Sequence, residues 1–334
     1  MIKAGSSAAA LSRGQRGRDP EQLGADTIRK RVLGGLAGNR TPGFSFAGHF
    51  LQLRWPKIGR NVAVTAMSVG EHCRDASGDI NPAAFGAFVD TGLATAPRLK
   101  IEPGARQATI QLHLQFTGHP PGDELRMESR LEGFSVGDGV CQSLARGVVH
   151  SGGNPVCYAS GTFVQLPAPH GVVLAPLPWQ IRDWVQPRAL DIAELTKDER
   201  VVFKACNKAL ALADQERSFI EHFWGVLPVG TREGARCSVR IAPQFGNRVG
   251  HVQGGILLGL AAATAKKAAG SRHPMLSTLS VWFMSPGRGD VLRVRSHRLQ
   301  AGRRFAVVRS TISTGDGACV LEAISNHAIG AKSA

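Results

Sequence analysis

The sequence lacks the features of membrane proteins and of disulfide-stabilised secreted proteins. Its 334 residues contain no run of eighteen or more uncharged apolar residues, and the first nineteen have no apolar signal-peptide core. The six cysteines lie far apart, without a Cys-x-x-Cys pair, which favours free thiols in a reducing compartment over disulfides or a zinc site. We therefore expect a cytoplasmic protein with no membrane span and no metal site, and a disordered or flexible tail over residues 1–22.

Acidic and aromatic residues are also scarce. There are 25 acidic residues against 40 basic ones, so the net charge is +15, and aromatic residues make up only 6% with a single tyrosine. A nucleic-acid-binding protein has a similar charge, but the basic residues are mostly scattered and no nucleic-acid-binding motif is present. We expect no nucleic-acid partner. The excess of basic residues either forms a solvated surface or attracts a small polyanionic ligand electrostatically.

The chain contains one pattern twice, at a separation of 172 residues. The first copy is Asp75-Ala-Ser-Gly78-Asp-Ile-Asn81-Pro82, followed by an apolar small-residue stretch that ends in Asp90. The second copy is Asn247-Arg-Val-Gly250-His-Val-Gln253-Gly254-Gly255, followed by a similar stretch to Ala262. Each is a glycine-marked turn that runs into a helix apolar almost all round, which indicates a helix enclosed by other elements.

Alternating stretches around each helix predict strands, with Pro- and Gly-rich turns between them. In the first half these strands are residues 61–69, 107–116, 124–131, 139–150 and 156–166. In the second half they are residues 235–242, 278–283, 291–299, 304–313 and 318–328. A helix followed by an antiparallel meander predicts the α+β class in each half. We expect domains at 23–166 and 191–334, joined by a Pro- and Trp-containing linker at 167–190.

The second copy resembles a known family. Asn247-x-x-Gly250-x-x-Gln253-Gly254-Gly255, then a small-residue helix and Phe283-Met-Ser-Pro286, is similar to the hotdog thioesterases of the phenylacetate-pathway type. That family has Asn-x-x-Gly-x-x-His-Gly-Gly with an acid nine residues after the histidine. The resemblance implies two tandem hotdog domains, each an antiparallel sheet wrapped around a central helix, paired as an intrachain pseudo-dimer. It also implies an acyl-CoA substrate, with the active sites between the two units.

Each half departs from the family pattern, and the departures are complementary. The second half keeps Asn247 and the Gly254-Gly255 pair but has Gln253 in the histidine position. The first half has the acid, Asp90, and a hydroxyl at the expected strand position, Thr109. Crossed at the interface, as the family implies, these residues form one composite catalytic site. The counterpart site lacks its acid and its backbone donor; it has Asp75, Asn81, Pro82, Ala262 and Leu276.

These residue types suit thioester hydrolysis without a cofactor. Asp90 can act as a general base or a nucleophile, Thr109 and Gln253 can hold water or substrate, and the N–H of Gly254 at a helix N-terminus can stabilise an oxyanion. Gly255, Arg303 and Arg304 are the predicted substrate-binding residues, the two arginines through the phosphates of coenzyme A. The expected partner is acyl-CoA, and the tandem chain can also form a homodimer.

Structural and functional alternatives exist for each residue. Asp90 can belong to a buried polar network, Thr109 can be an ordinary strand residue, and Asn247 can brace its turn. Gln253 can serve only to start its helix, the glycines can serve only close packing, and Arg303 and Arg304 can be a solvated edge. His251, one turn from the motif position, is interpreted as structural.

Two other functional classes are open from the sequence. Ser77-Gly-Asp-Ile-Asn-Pro82 resembles the signature of hotdog enoyl-CoA hydratases of the MaoC type, but Ala84 stands where their catalytic histidine is expected. A non-catalytic acyl-CoA-binding protein is the other class, because both halves have lost family residues.

Overall fold

The computed structural model describes residues 20–41, 45–101, 105–137, 140–167, 170, 174, 176–270 and 274–330. The predicted tail lies outside these residues up to position 19, and residues 20–22 begin the first helix. No helix in these ranges is long and apolar enough to cross a membrane.

The first half has three helices and six strands. These are α1 (Pro20–Asn39), α2 (Phe46–Phe50), β1 (Arg54–Ile58), β2 (Val62–Ser68), α3 (Pro82–Arg98), β3 (Arg106–Phe116), β4 (Glu124–Gly137), β5 (Val140–Ser151) and β6 (Asn154–Leu166). The second half follows the same order. Its elements are α4 (Lys197–Leu212), α5 (Phe219–Phe223), β7 (Val229–Thr231), β8 (Gly234–Arg240), α6 (Gly254–Ala268), β9 (Met275–Phe283), β10 (Val291–Ala301), β11 (Phe305–Thr314) and β12 (Cys319–Ala328).

All twelve strands form one antiparallel sheet, in the order β1-β2-β4-β5-β6-β3-β9-β12-β11-β10-β8-β7. The two halves join where β3 pairs with β9, with Leu112 opposite Val281 and Leu114 opposite Leu279. All four of these side chains are buried. The predicted α+β class and the intrachain pairing of two equivalent units are confirmed.

The central helices α3 and α6 pack directly against each other inside this sheet. A Cβ atom added at Gly86 would lie 2.1 Å from the backbone oxygen of Gly255, and one added at Gly259 would lie 2.2 Å from the Cα of Ala83. Only glycine permits an approach this close. The small residues of the repeated pattern therefore bring the N-terminus of α6 against the middle of α3.

Each central helix begins with a side-chain cap. The Oδ1 atom of Asn81 accepts the N–H of Ala83 at 2.9 Å, and the Oε1 atom of Gln253 accepts the N–H of Ile256 at 2.9 Å. Both caps satisfy helix N–H groups that have no partner within the helix. The repeat thus fixes where both helices start.

The linker folds back onto the first half. The indole of Trp179 lies 4.7 Å, centroid to centroid, from that of Trp55 in β1, and the ring of Trp184 lies 6.3 Å from that of His49 in α2. The two short helices α2 and α5 also pack together, and the ring centroids of Phe50 and Phe223 are 5.7 Å apart. The halves are therefore joined by a buried aromatic cluster as well as by the sheet.

Candidate active site

The carboxylate of Asp90 lies where α3 meets the N-terminus of α6. The hydroxyl of Thr109, in β3, donates to Oδ1 of Asp90 at 2.8 Å. From the other half, Nε2 of Gln253 donates to Oδ2 at 3.1 Å and the backbone N–H of Gly255 donates to the same oxygen at 3.0 Å. The structure therefore brings four of the predicted site residues together, two from each half.

Asp90 is only 6% exposed, and this burial raises its pKa above the ordinary value. Desolvation is the largest cause, since it disfavours the charged carboxylate. The hydrogen bonds from Thr109 and Gly255 and the charge of Arg98 act in the opposite direction. A carboxyl group with a raised pKa, held in a fixed position, is suited to take up a proton near neutral pH.

Gln253 caps helix α6 and also donates a hydrogen bond to Asp90. Its Oε1 atom accepts a hydrogen bond from the N–H of Ile256 and so caps the N-terminus of α6. This leaves its Nε2 atom directed to Asp90. Histidine in this position would have one acceptor and one donor nitrogen and could exchange a proton, whereas an amide only holds its partners. The helix-start interpretation of Gln253 and its contact with the acid are therefore both correct.

Gly254 is the first residue of α6, and its backbone N–H has no hydrogen-bond partner within the described ranges. A Cβ atom added here would lie 2.9 Å from Oδ2 of Asp90 and 3.4 Å from the ring of Phe283. An unpaired N–H at the positive end of a helix, directly beside a carboxylate, can stabilise an oxyanion that forms there. A side chain at this position would fill that space.

Asn247 braces the turn before α6. Its Oδ1 atom accepts the N–H groups of Val249 and His251, at 2.9 and 3.0 Å, and its own N–H donates to the backbone oxygen of His251. This geometry agrees with the turn-bracing interpretation. Asn247 and His251 both line the cavity described next, but neither is hydrogen-bonded to Asp90.

A cavity of about 370 Å³ opens beside Asp90. Asp90, Thr109, Asn247, Gln253 and Gly254 line it on one side. The lining also includes residues that the sequence did not identify as part of the site, among them Arg98, Arg106, Gln107 and Arg248, and Leu177 and Trp179 from the linker. One signal was present in the sequence, because Arg98 follows Asp90 by eight residues and so lies near the same helix face.

Arg303 and Arg304 do not line this cavity, and their predicted contact with the phosphates of coenzyme A stays a prediction. Both are exposed in the turn between β10 and β11, and no residue of that turn lines the cavity. A basic pair in a β-hairpin turn points into solvent because loop backbone and charged side chains stay hydrated. Their exposure agrees with the solvated-edge interpretation.

The counterpart position has no acid. Ala262, in α6, is buried, and Oδ1 of Asn81 is used by the N–H of Ala83. Pro82 stands where Gly254 stands in the other half, and proline has no N–H. Ala84, the position of a hydratase histidine, is fully buried, and the cavity lining includes none of residues 77–84.

Comparison with known proteins identifies one matching family model. Residues 243–327 match the family model described as the acyl-CoA thioesterase N-terminal domain. Among curated proteins, no sequence matches the chain significantly.

Solved structures share the fold over most of the chain. The TesB protein of Mycobacterium avium subspecies paratuberculosis is 13% identical over 84% of this chain and 96% of that one, with a TM-score of 0.50. A Lactobacillus plantarum protein assigned as an oleoyl thioesterase is 9% identical over 82% and 98%, with a TM-score of 0.52. The 12:0-ACP thioesterase of Umbellularia californica is 11% identical over 80% and 93%, with a TM-score of 0.50.

At these identities the structures establish the fold, while the family match concerns the segment that carries Asn247, Gln253 and Gly254. Residues 243–327 therefore resemble the acyl-CoA thioesterase N-terminal domain, and they lie within a chain whose fold is a tandem of two hotdog domains.

Proposed function

We propose that the protein hydrolyses an acyl-CoA thioester to the free acid and coenzyme A, at one composite site between its two halves. The observation that carries this proposal is the set of hydrogen bonds to the carboxylate of Asp90. Thr109 donates one from the same half, and Gln253 and Gly255 donate the others from the second half. The unpaired N–H of Gly254 beside the same carboxylate supplies the second requirement, an oxyanion donor.

Asp90 has room for one more hydrogen bond. A carboxylate offers about four acceptor positions, and Thr109, Gln253 and Gly255 occupy three of them. A water molecule in the remaining position is held against the general base. The three protein donors fix the carboxylate, which favours its role as a base over direct attack on the thioester.

The reaction then proceeds in two steps. Water attacks the thioester carbon while Asp90 takes its proton, and the N–H of Gly254 donates to the oxyanion of the tetrahedral intermediate. The carbon–sulfur bond breaks, the carbonyl re-forms, and the coenzyme A thiolate leaves with the proton returned from Asp90. Atoms and charge balance with water as the only co-reactant.

A panel of acyl-CoA thioesters with free-thiol detection tests the proposal, with crotonyl-CoA hydration measured in parallel. We expect thiol release from at least one substrate and no formation of 3-hydroxybutyryl-CoA. Hydration without thiol release would overturn the proposal in favour of a hydratase. Tight binding of every acyl-CoA without turnover would overturn it in favour of a binding protein.

The chain supplies both sides of the proposed site, so a second copy is not needed for activity. A homodimer of the tandem chain stays a separate prediction, which light scattering of the purified protein tests. A cytoplasmic location stays a prediction from the spacing of the six cysteines in the sequence.

A further inference from the structure

The cavity beyond Asp90 is lined by arginine rather than by apolar side chains alone. Among the described residues, its lining holds a single carboxylate, Asp90, against the three guanidinium groups of Arg98, Arg106 and Arg248. Within the described part of the chain, no carboxylate lies within ion-pair distance of Arg98 or Arg106. The cavity therefore has an excess of positive charge next to its proposed reaction centre.

These residues lie along the wall that leads away from Asp90. Asp90, Ala94 and Arg98 share one face of α3 at i, i+4 and i+8, and the small Ala94 leaves the space between the two charged residues open. Eight helical residues span roughly 12 Å. On β3, Gln107 stands two residues before Thr109 and so shares its face of the strand, at about 7 Å.

Several polar atoms at this end are buried without a partner. Both amide atoms of Gln107 and the Nε atom of Arg106 are inaccessible and make no hydrogen bond in the described structure. Burial and the nearby charge of Arg248 lower the pKa of Arg98 to about 9. Unpartnered buried polar groups and unpaired buried cations are unfavourable, so a ligand that supplies an anionic acceptor here would be strongly preferred.

We propose that Arg98, Arg106 and Gln107 bind a carboxylate carried by the acyl group, so that the preferred substrates are coenzyme A thioesters of dicarboxylic acids. This inference rests on the proposed thioesterase function. The apolar residues of the same cavity, among them Phe163, Leu177 and Trp179, contact the methylene groups between thioester and carboxylate.

A long alkyl chain fits this end of the cavity poorly. It would leave Nε2 of Gln107 and Nε of Arg106 without an acceptor, and sites built from buried polar groups discriminate strongly against ligands that lack the matching group. A linear dicarboxylic chain satisfies these donors with one carboxylate.

The phosphates of coenzyme A fit less well than an acyl carboxylate. The extended pantetheine arm is about as long as four extended residues, roughly 14 Å. Gln107 lies at about half that distance from the site of Thr109. An acyl group that turns along β3 reaches Gln107 with a short chain, whereas the phosphates reach Gln107 only if the arm folds.

Matched pairs of substrates test the inference in the intact protein. Glutaryl-CoA is compared with pentanoyl-CoA, and adipyl-CoA with hexanoyl-CoA, so that each pair differs only in the terminal carboxylate. We expect kcat/KM to favour the charged member of at least one pair by roughly tenfold or more, since a hydrogen bond to a charged group contributes about 1.5–3 kcal/mol. Equal values in both pairs, or a preference for the neutral members, would overturn the inference and leave the thioesterase proposal standing.

Two substitutions locate the carboxylate. Arg98→Gln and Arg106→Gln are each expected to lower the charged-to-neutral ratio of kcat/KM by about tenfold. The matched control is Arg295→Gln on an exposed position of β10, which should leave the ratio unchanged. If the two cavity variants instead raise KM equally for both members of a pair, the arginines bind the phosphates and the inference is wrong.

A binding measurement separates this inference from the proposed function. Should the protein hydrolyse no acyl-CoA, calorimetry with glutaryl-CoA and pentanoyl-CoA still compares the two ligands. Tighter binding of glutaryl-CoA, lost in Arg98→Gln, supports the carboxylate site without any turnover. Equal affinity would overturn it.

Discussion

The backbone N–H of Gly255 donates a 3.0 Å hydrogen bond to Oδ2 of Asp90, so the central helix of the second half holds the acid of the first. The contact is possible because a glycine pair, Gly86 and Gly255, lets the two helices touch through their backbones. The site thus depends on the packing of the two halves as much as on the identity of its side chains.

Replacement of Asp90 by Asn should abolish most turnover. The amide keeps the shape of the side chain but cannot take a proton from water, so we expect kcat to fall by roughly 10²- to 10⁴-fold. Thiol release with the best substrate of the panel measures the change. Asp79→Asn is the matched control, because Asp79 is exposed and pairs only at 3.8 Å with Lys266. An active Asp90→Asn variant would remove Asp90 from the mechanism.

The pH dependence should report the same carboxyl group. Because burial raises the pKa of Asp90, kcat/KM should fall as the pH drops through that raised value and reach a plateau above it. The hydrogen bond from Thr109 lowers this pKa, so Thr109→Val should move the acidic limb to higher pH, whereas Thr109→Ser should restore it. If the acidic limb of the kcat/KM profile does not shift in Thr109→Val, a group other than Asp90 controls that limb.

The buried charge should also reduce stability as the pH rises. The folded pKa of Asp90 lies above the unfolded value of about 3.9, so the stability associated with the protonated acid is complete below that value and is lost as pH rises through the folded pKa. Asp90→Asn does not titrate. We therefore expect the Tm of Asp90→Asn to rise relative to that of the unsubstituted protein as the pH increases above about 4. A constant Tm difference across this range would contradict the raised pKa.

Substitutions at Gly254 separate the role of its N–H from the role of its small size. Alanine adds a Cβ atom 2.9 Å from Oδ2 of Asp90 but keeps the N–H, while proline also removes the N–H. Proline is tolerated at the first position of a helix, and Gln253 before it has φ −65° and ψ 133°, which suits a residue preceding proline. We expect Gly254→Pro to be roughly 10²- to 10³-fold slower than Gly254→Ala in kcat. Equal rates would exclude this N–H as the oxyanion donor.

Much of the fold was predictable because the repeat is local in sequence. The glycine-marked turns, the apolar helices and the alternating strands each leave a pattern within a few residues, and the predicted strands agree with the observed ones to within a few residues at most ends. β1 and β7 escaped prediction. Both are short, mostly exposed strands at the two edges of the sheet, and β1 contains Pro56, so neither has the alternation of the buried strands.

The site was only partly predictable, for a physical reason. Asp90, Thr109 and Gln253 stand out because their residue types are unusual beside small apolar helices and strands. The sequence says nothing about which distant segments line a cavity, so the return of Trp179 from the linker and the convergence of Arg98 and Arg106 were missed.

A crystal structure with a non-hydrolysable acyl-CoA ketone, in which a methylene group replaces the thioester sulfur, tests the composite site most directly. The account predicts one ligand per chain, with the ketone oxygen within hydrogen-bond distance of the Gly254 N–H and the carbonyl carbon facing Asp90 across a single water molecule. Two equivalent ligands per chain, or a ketone bound beside Asn81 and Ala262 instead, would contradict it.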